Sequence, residues 1–264
     1  MADPISPQSQ PVSRPAFDAS AARAAATKAA GNGLNWWTEG WRFFAAAPWM
    51  WIGLTIAFIL ILILSSIVPL IGSIASTVLS PVLAAGLMAG CNAQDRGGEL
   101  TFNHLFAGFG ERLMPLIIVG LLYLVGTAII MIVVLGIIVA FVGVSGLGSL
   151  WSGDPMQVGW AMLATLGAGA FFAVLVGTLL ALPLMMAFWF APALVMLRNE
   201  EPVAAMKASF VACLVNIWPM FVYGLIGIVL MIVATIPFGL GWFVLCPVIA
   251  TSIYASYKDI FGAA

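Results

Sequence analysis

The sequence predicts an all-α membrane protein. Six transmembrane helices are expected, as three parallel-repeat hairpins, each preceded by a cytoplasmic interfacial helix. Three observations lead there. Of 264 residues, 63% are hydrophobic and only 7% charged, whereas a soluble domain carries roughly 25% charged residues and uses them to cover its surface. The charges are also confined: 43–94, 113–153, 155–197 and 208–257 hold no Asp, Glu, Lys or Arg. Finally, the basic residues cluster between those stretches in a way that alternates with the expected passes. A soluble globular domain is excluded, as is a chain disordered over most of its length. With a net charge of −1 there is no basic face for nucleic acid.

The first 32 residues are rich in Ala, Ser, Pro and Gln. They lack the apolar core of a cleavable signal peptide and are expected to form a disordered cytoplasmic tail, with 33–264 as the transmembrane domain. A short Ala-rich helix at 19–30 that docks on a partner is the alternative.

The next segment, 34–47, reads as an amphipathic helix. At about 100° per residue, Asn35, Thr38, Glu39 and Arg42 share one arc, and Leu34, Trp36, Trp37, Trp41, Phe43 and Phe44 fill the rest. Such a helix is expected to lie in the membrane interface with aromatic rings at headgroup depth. This makes Trp36, Trp37, Trp41, Arg42 and Phe44 the candidate membrane-interface residues. Phe102–Met114 and Val203–Trp218 are the corresponding helices of the other two units. The third is poorly amphipathic, because Lys207 lies on its apolar side.

A spanning helix needs about 20 mostly apolar residues. The charge-free stretches 43–94 and 208–257 each accommodate two passes, and the middle two stretches one long pass each. The expected spans are 49–68, 72–93, 115–141, 160–190, 218–236 and 240–257, with an extended Gly-rich outer loop at Gly143–Met156. Six spans place all nine basic residues on one side and only Asp154 on the other. The positive-inside rule then puts both termini in the cytoplasm. Splitting 160–197 at Pro183 is the alternative, and whether that stretch is one kinked helix or two segments stays open.

The three hairpins echo one another. The pattern P-x-x-x-x-G-L occurs at Pro48–Gly53, Pro115–Gly120 and Pro219–Gly224, at the start of each first helix. Proline suits a first helical turn, and glycine there permits close helix approach. The return helices carry a second echo at Pro81, Pro192 and Pro247, each following an earlier proline (Pro69, Pro183, Pro237). Prolines inside helices can act as hinges.

Little chemistry is available. The expected spans contain no ionisable carboxylate or base, which removes the usual proton relays and buried ion pairs. Ser73, Ser76, Thr77 and Ser80 share one helical face, suited to packing between helices or, alternatively, to lining a pore. His104 is the only histidine, near Asp95, Glu99 and Glu111, and reads as a surface residue. Cys91, Cys213 and Cys246 suggest neither a disulfide framework nor a metal site. Asp154 and Glu200-Glu201 read as turn and helix-start residues. No catalytic group, cofactor or metal is expected.

The run Trp41-Arg-Phe-Phe-x-x-x-Pro48, then Pro69-Leu-Ile-Gly72, Pro81-x-Leu, Gly86-Leu-Met and Ala191-Pro-Ala-Leu-Val195 resembles an uncharacterised proteobacterial multi-spanning inner-membrane protein family, over residues 34–260. It is similar, more distantly, to the membrane domain associated with glycerophosphodiester phosphodiesterases, although the sequence has no such catalytic domain. The resemblance implies a bacterial inner membrane and supplies no activity. Two functions follow as expectations. One is a non-enzymatic scaffold or accessory subunit acting through membrane lipids, or through a protein partner at its cytoplasmic helices or tail. The alternative is a transporter or channel for a small, weakly polar or lipidic molecule, which requires a continuous path between the repeats.

Overall fold

The computed structural model describes residues 26–68, 71–149 and 155–262. All regular structure among them is helical. The elements are α1 (Asn32–Ala46), α2 (Pro48–Ser65), α3 (Ile71–Asp95), a 3₁₀ segment (Phe102–Phe109), α4 (Leu113–Ser149), α5 (Pro155–Trp189), α6 (Ala191–Arg198), α7 (Pro202–Val215), α8 (Ile217–Thr235) and α9 (Trp242–Phe261).

Local chemistry sets the breaks. Ala47 leaves the helical region (φ −149°, ψ 61°) between α1 and α2, as expected of a residue preceding proline. Asn199, in the left-handed conformation at φ 58°, closes α6. The turn from α8 to α9 passes through Phe238 (φ 53°) and Gly239 (φ 82°). The expected loop at Gly143–Met156 is shorter than the sequence suggests, because α4 runs on to Ser149 and α5 begins at Pro155. A tract this apolar keeps its helical hydrogen bonds through Gly143, where nothing polar competes for them.

The open question about 160–197 has a clear answer. Helix α5 continues through Pro183 and stops at Phe190, and α6 is a separate segment. Pro192 has no N–H and crowds the carbonyl of Phe188. The hydroxyl of Ser209, on α7, enters the resulting gap: it donates to the Met186 carbonyl (2.7 Å) and accepts from the Phe190 N–H (2.9 Å).

Among the described residues, five helical stretches are long and apolar enough to cross a membrane: Pro48–Ser65, Ile71–Asp95, Leu113–Gly143, Leu163–Arg198 and Ile217–Thr235. The expected sixth span, 240–257, falls on α9, which is 20 residues long but less apolar. Its polar side chains are turned into the protein. Thr251 donates to the Gly40 carbonyl, Ser252 pairs with Tyr223, and Tyr254 reaches Asp95.

The buried core sits at the end of the molecule that carries the charged loops. Trp36, Trp51, Leu83, Leu105, Phe190, Leu194, Tyr254 and Tyr257 are among its fully buried side chains. There the C-terminal ends of α3, α6 and α9 meet. Lys258 pairs with Asp95 at 2.7 Å, Arg198 donates to the Phe261 carbonyl, and Phe190 packs edge-on against Phe261. The opposite end is thin. From Leu121 to Gly143 no residue is buried. Helices α4 and α5 form a long antiparallel pair, joined by Tyr123 with Phe188 and Phe141 with Phe172. At 1.5 Å per residue, α4 is about 55 Å long and α2 and α8 about 28 Å.

Each of the three short cytoplasmic elements of the sequence reading packs on a helix that runs back toward the charged loops. Gly40 of α1 lies against Ser252 of α9, so closely that a Cβ would sit 2.7 Å from its Cα. In the 3₁₀ segment, Gly108 abuts Val82 of α3, and the Leu105 carbonyl abuts Gly86. Helix α7 meets α5 through Ser209. Residues 26–31, which the sequence reading assigns to the tail, are irregular but tied down. The Ala26 N–H donates to the Ile260 carbonyl, and Asn216 bonds both Ala26 and Lys28. Residues 1–25 lie outside the described residues.

Candidate functional site

The five candidate interface residues separate into two groups. Trp36, Trp37 and Phe44 are buried in protein; Trp41 and Arg42 stay exposed. The headgroup-depth assignment therefore does not describe the first three. Trp36 donates to Asp259 at 3.0 Å. Trp37 donates to the Tyr223 carbonyl and stacks on the Tyr223 ring at 4.7 Å. The reason is that α1 lies against α8 and α9, with Gly33 against Tyr223 and Gly40 against Ser252. Aromatic residues that do face outward near the charged loops include Trp41, Trp49 (84% exposed), Trp218 (70%), Phe102, Phe106 and Phe109. Trp49 is missed by a search limited to amphipathic helices, since it sits beside a proline, Pro48, that starts a span.

The proline and glycine echoes occupy related places with one divergence. Pro48, Pro115 and Pro219 all lie in the first turn of a helix, and Pro81 and Pro247 lie within α3 and α9. Pro192 instead begins α6, after the break at Phe190. A Cβ on Gly53 would meet the ring of Phe102 (2.8 Å), and one on Gly120 would meet Val78 (2.8 Å). Nothing lies within 4 Å of the corresponding position on Gly224.

That vacancy opens onto a cavity of about 560 Å³ between α5 and α8. Its floor is Trp37, Tyr223 and Cys213, all buried; its rim is Leu182, Met185, Phe221 and Leu225, all exposed. The cleft thus opens sideways along the apolar flank of the molecule. Four methionines (Met185, Met186, Met220, Met231) give it adaptable walls. One polar group of the wall is unsatisfied: the buried indole N–H of Trp189 has no hydrogen-bond partner. No single stretch of sequence announces this cleft, because its two walls are some thirty residues apart and each reads as ordinary span.

The remaining candidates take structural roles. Ser76 and Thr77 donate to the Ser73 carbonyl and Ser80 to that of Thr77, so these hydroxyls are occupied by their own helix. His104 accepts from the Thr101 N–H at 3.0 Å and caps the 3₁₀ segment. Cys91 and Cys213 are buried free thiols and Cys246 is half-buried. Glu201 flanks the start of α7. Asp154 and Pro69 lie outside the described residues. Among the described residues, no group of three or more His, Cys, Asp or Glu is placed to hold a metal.

At the charged end, Asp259 gathers Lys28 (2.8 Å), Asn32 (2.8 Å) and Trp36. Burial pushes its carboxyl up, but the hydrogen bonds from Lys28, Asn32 and Trp36 outweigh that and hold it below the usual carboxylate range.

The chain is similar to a probable inner membrane protein of Burkholderia thailandensis. The two are 28% identical, and the match covers 88% of this chain and 91% of the relative. With its five long apolar helices, this is an integral membrane protein. No family model matches the sequence, and no solved structure matches the fold. The relative's name says nothing of glycerophosphodiester phosphodiesterases, and that part of the resemblance gains no support.

Proposed function

We propose that the protein is a non-enzymatic inner-membrane scaffold that works through contacts with lipid and with other proteins. The observation that carries this reading is the occupied centre. A conduit needs a path along the axis, but the axis between α3, α6 and α9 is filled by Leu83, Phe190, Leu194 and Tyr254, each buried to 2% exposure or less. The cavity described above lies on the flank instead.

The same reading includes six spans, with α9 as the sixth and both termini in the cytoplasm. It also treats the molecule as a closed ring of three hairpins. In that ring the short helix of the second unit packs on the return helix of the first, that of the third on the second, and α1 closes the circle on α9. The contacts Leu105–Gly86, Ser209–Met186 and Gly40–Ser252 support it. A closed ring resists the rocking between repeats on which alternating access depends.

The test is native mass spectrometry of the full chain in a mild detergent, paired with efflux from reconstituted vesicles. Retained lipid or a stoichiometric protein partner, with no flux of a broad panel of small weakly polar solutes, is the expected result. Saturable flux through the unsubstituted chain would overturn the scaffold reading.

A further inference from the structure

The cleft between α5 and α8 has the form of a binding site for an apolar chain. We propose that it holds one acyl chain of a bilayer phospholipid, entering sideways from the leaflet on the charged-loop side. This deepens the scaffold reading and rests on it for the membrane setting.

Three observations converge. Along α8 the cleft runs from Ile217 to Met231, about 21 Å at 1.5 Å per residue, which is longer than the roughly 15 Å depth of one leaflet of a hydrocarbon core about 30 Å thick, so a chain entering from one leaflet can lie along it. Its volume of about 560 Å³ lies within the roughly 300–1,000 Å³ typical of ligand cavities, and its walls are almost wholly apolar, so a polar solute would lose its hydration for nothing. The repeat pattern supplies the third. The glycine of the motif receives a protein side chain or backbone in the first two units, Phe102 at Gly53 and Val78 at Gly120, whereas Gly224 faces open space. A packed interior does not leave such a gap unfilled without cost, and in a bilayer the molecules at hand to fill a side-opening cleft are lipid chains.

The experiment uses the full chain in nanodiscs of phosphatidylethanolamine and phosphatidylglycerol, with a trace of phosphatidylcholine bearing a diazirine at an acyl-chain end. After irradiation, labelled residues are mapped by mass spectrometry. Labelling of 182–189 and 217–231 is expected to exceed that of the more exposed 131–142 by fivefold or more per residue. Gly224→Trp, which places an indole in the cleft, should cut the cleft label at least fivefold, while Gly136→Trp, on an open face of α4, leaves it unchanged. Labelling that simply follows exposure, strongest on α4, would overturn the proposal on the unsubstituted chain alone. So would cleft labelling that survives in folded Gly224→Trp. Solute flux in the vesicle assay would sink the scaffold reading and leave this labelling pattern intact, so the two failures are distinguishable.

Discussion

The Ser209 hydroxyl accepts the N–H of Phe190 (2.9 Å) and donates to the carbonyl of Met186 (2.7 Å). It stands in for the i→i−4 bond that these two groups would otherwise make with each other. An inserted side chain is a recognised cause of a helix kink. Here it allows α6 to turn into the core, where Ala191, Ala193, Leu194 and Val195 are all buried. One hydroxyl thus links α7 to the break that separates a lipid-facing helix from a core helix.

Removing that hydroxyl should be costly. Ser209→Ala leaves a buried N–H and a buried carbonyl without their bridge, and an unsatisfied buried group costs about 1–3 kcal/mol. The expected outcome is a Tm lowered by several degrees in detergent, with Ser209→Thr retaining most of the stability. An unchanged Tm for Ser209→Ala would mean that the two backbone groups re-form a direct bond.

The seating of α1 is equally exposed to test. A Cβ at Gly40 would stand 2.7 Å from both the Cα and the backbone nitrogen of Ser252, which are backbone atoms that cannot yield alone. Gly40→Leu should separate α1 from α9 and lose the bond from Thr251 to the Gly40 carbonyl. Overpacking of this kind costs about 1–3 kcal/mol or more. Gly136→Leu meets nothing within 4 Å and should leave Tm unchanged. Thermal unfolding of the two variants in one detergent compares them directly.

These elements also show what was legible in the sequence. The spans α2, α3, α4, α5 and α8 stand out because charge is absent over lengths that only a membrane tolerates, and the first-turn prolines of α2, α4 and α8 follow from local chemistry. The burial of α1 was not read. Its narrow polar arc and three tryptophans suit a membrane surface as well as a protein groove. The distinguishing signal was the pair Gly33 and Gly40, seven residues apart on the apolar side, where both permit close backbone approach. The sixth span was read as apolar from its lack of charge, yet its Thr, Ser and Tyr residues pair across to α1, α3 and α8. The cleft is a property of the gap between α5 and α8, so it has no local signature.

The latch at Asp259 predicts a pH response. Its carboxyl is held below the usual carboxylate range by Lys28, Asn32 and Trp36. A depressed folded-state value means that ionised Asp259 stabilises the fold at neutral pH, with the contribution fully present above the unfolded value of about 3.9. That contribution is lost as pH falls through the lower folded value. Amide exchange at 26–36 should therefore be slow and steady from pH 8 to 5, after correction for intrinsic rates, and rise below about pH 4. Asp259→Asn should show the faster exchange already at pH 7. Protection that persists in Asp259→Asn would assign the docking of 26–31 to Asn216 instead.

Sidedness can be read from two exposed positions at opposite ends of the molecule. Phe238, at the turn between α8 and α9, is fully exposed; Glu99, after α3, is exposed at the charged end. If the loops rich in Lys and Arg face the cytoplasm, a membrane-impermeant maleimide added to intact cells should label Phe238→Cys and not Glu99→Cys. The background chain would carry Ala at Cys91, Cys213 and Cys246. Permeabilised cells should label both. The reverse pattern would invert the molecule. Labelling of both positions in intact cells would remove one of the passes between them, α4, α5 or α8, from the membrane; α9 follows both positions, so its own pass is untouched by this result.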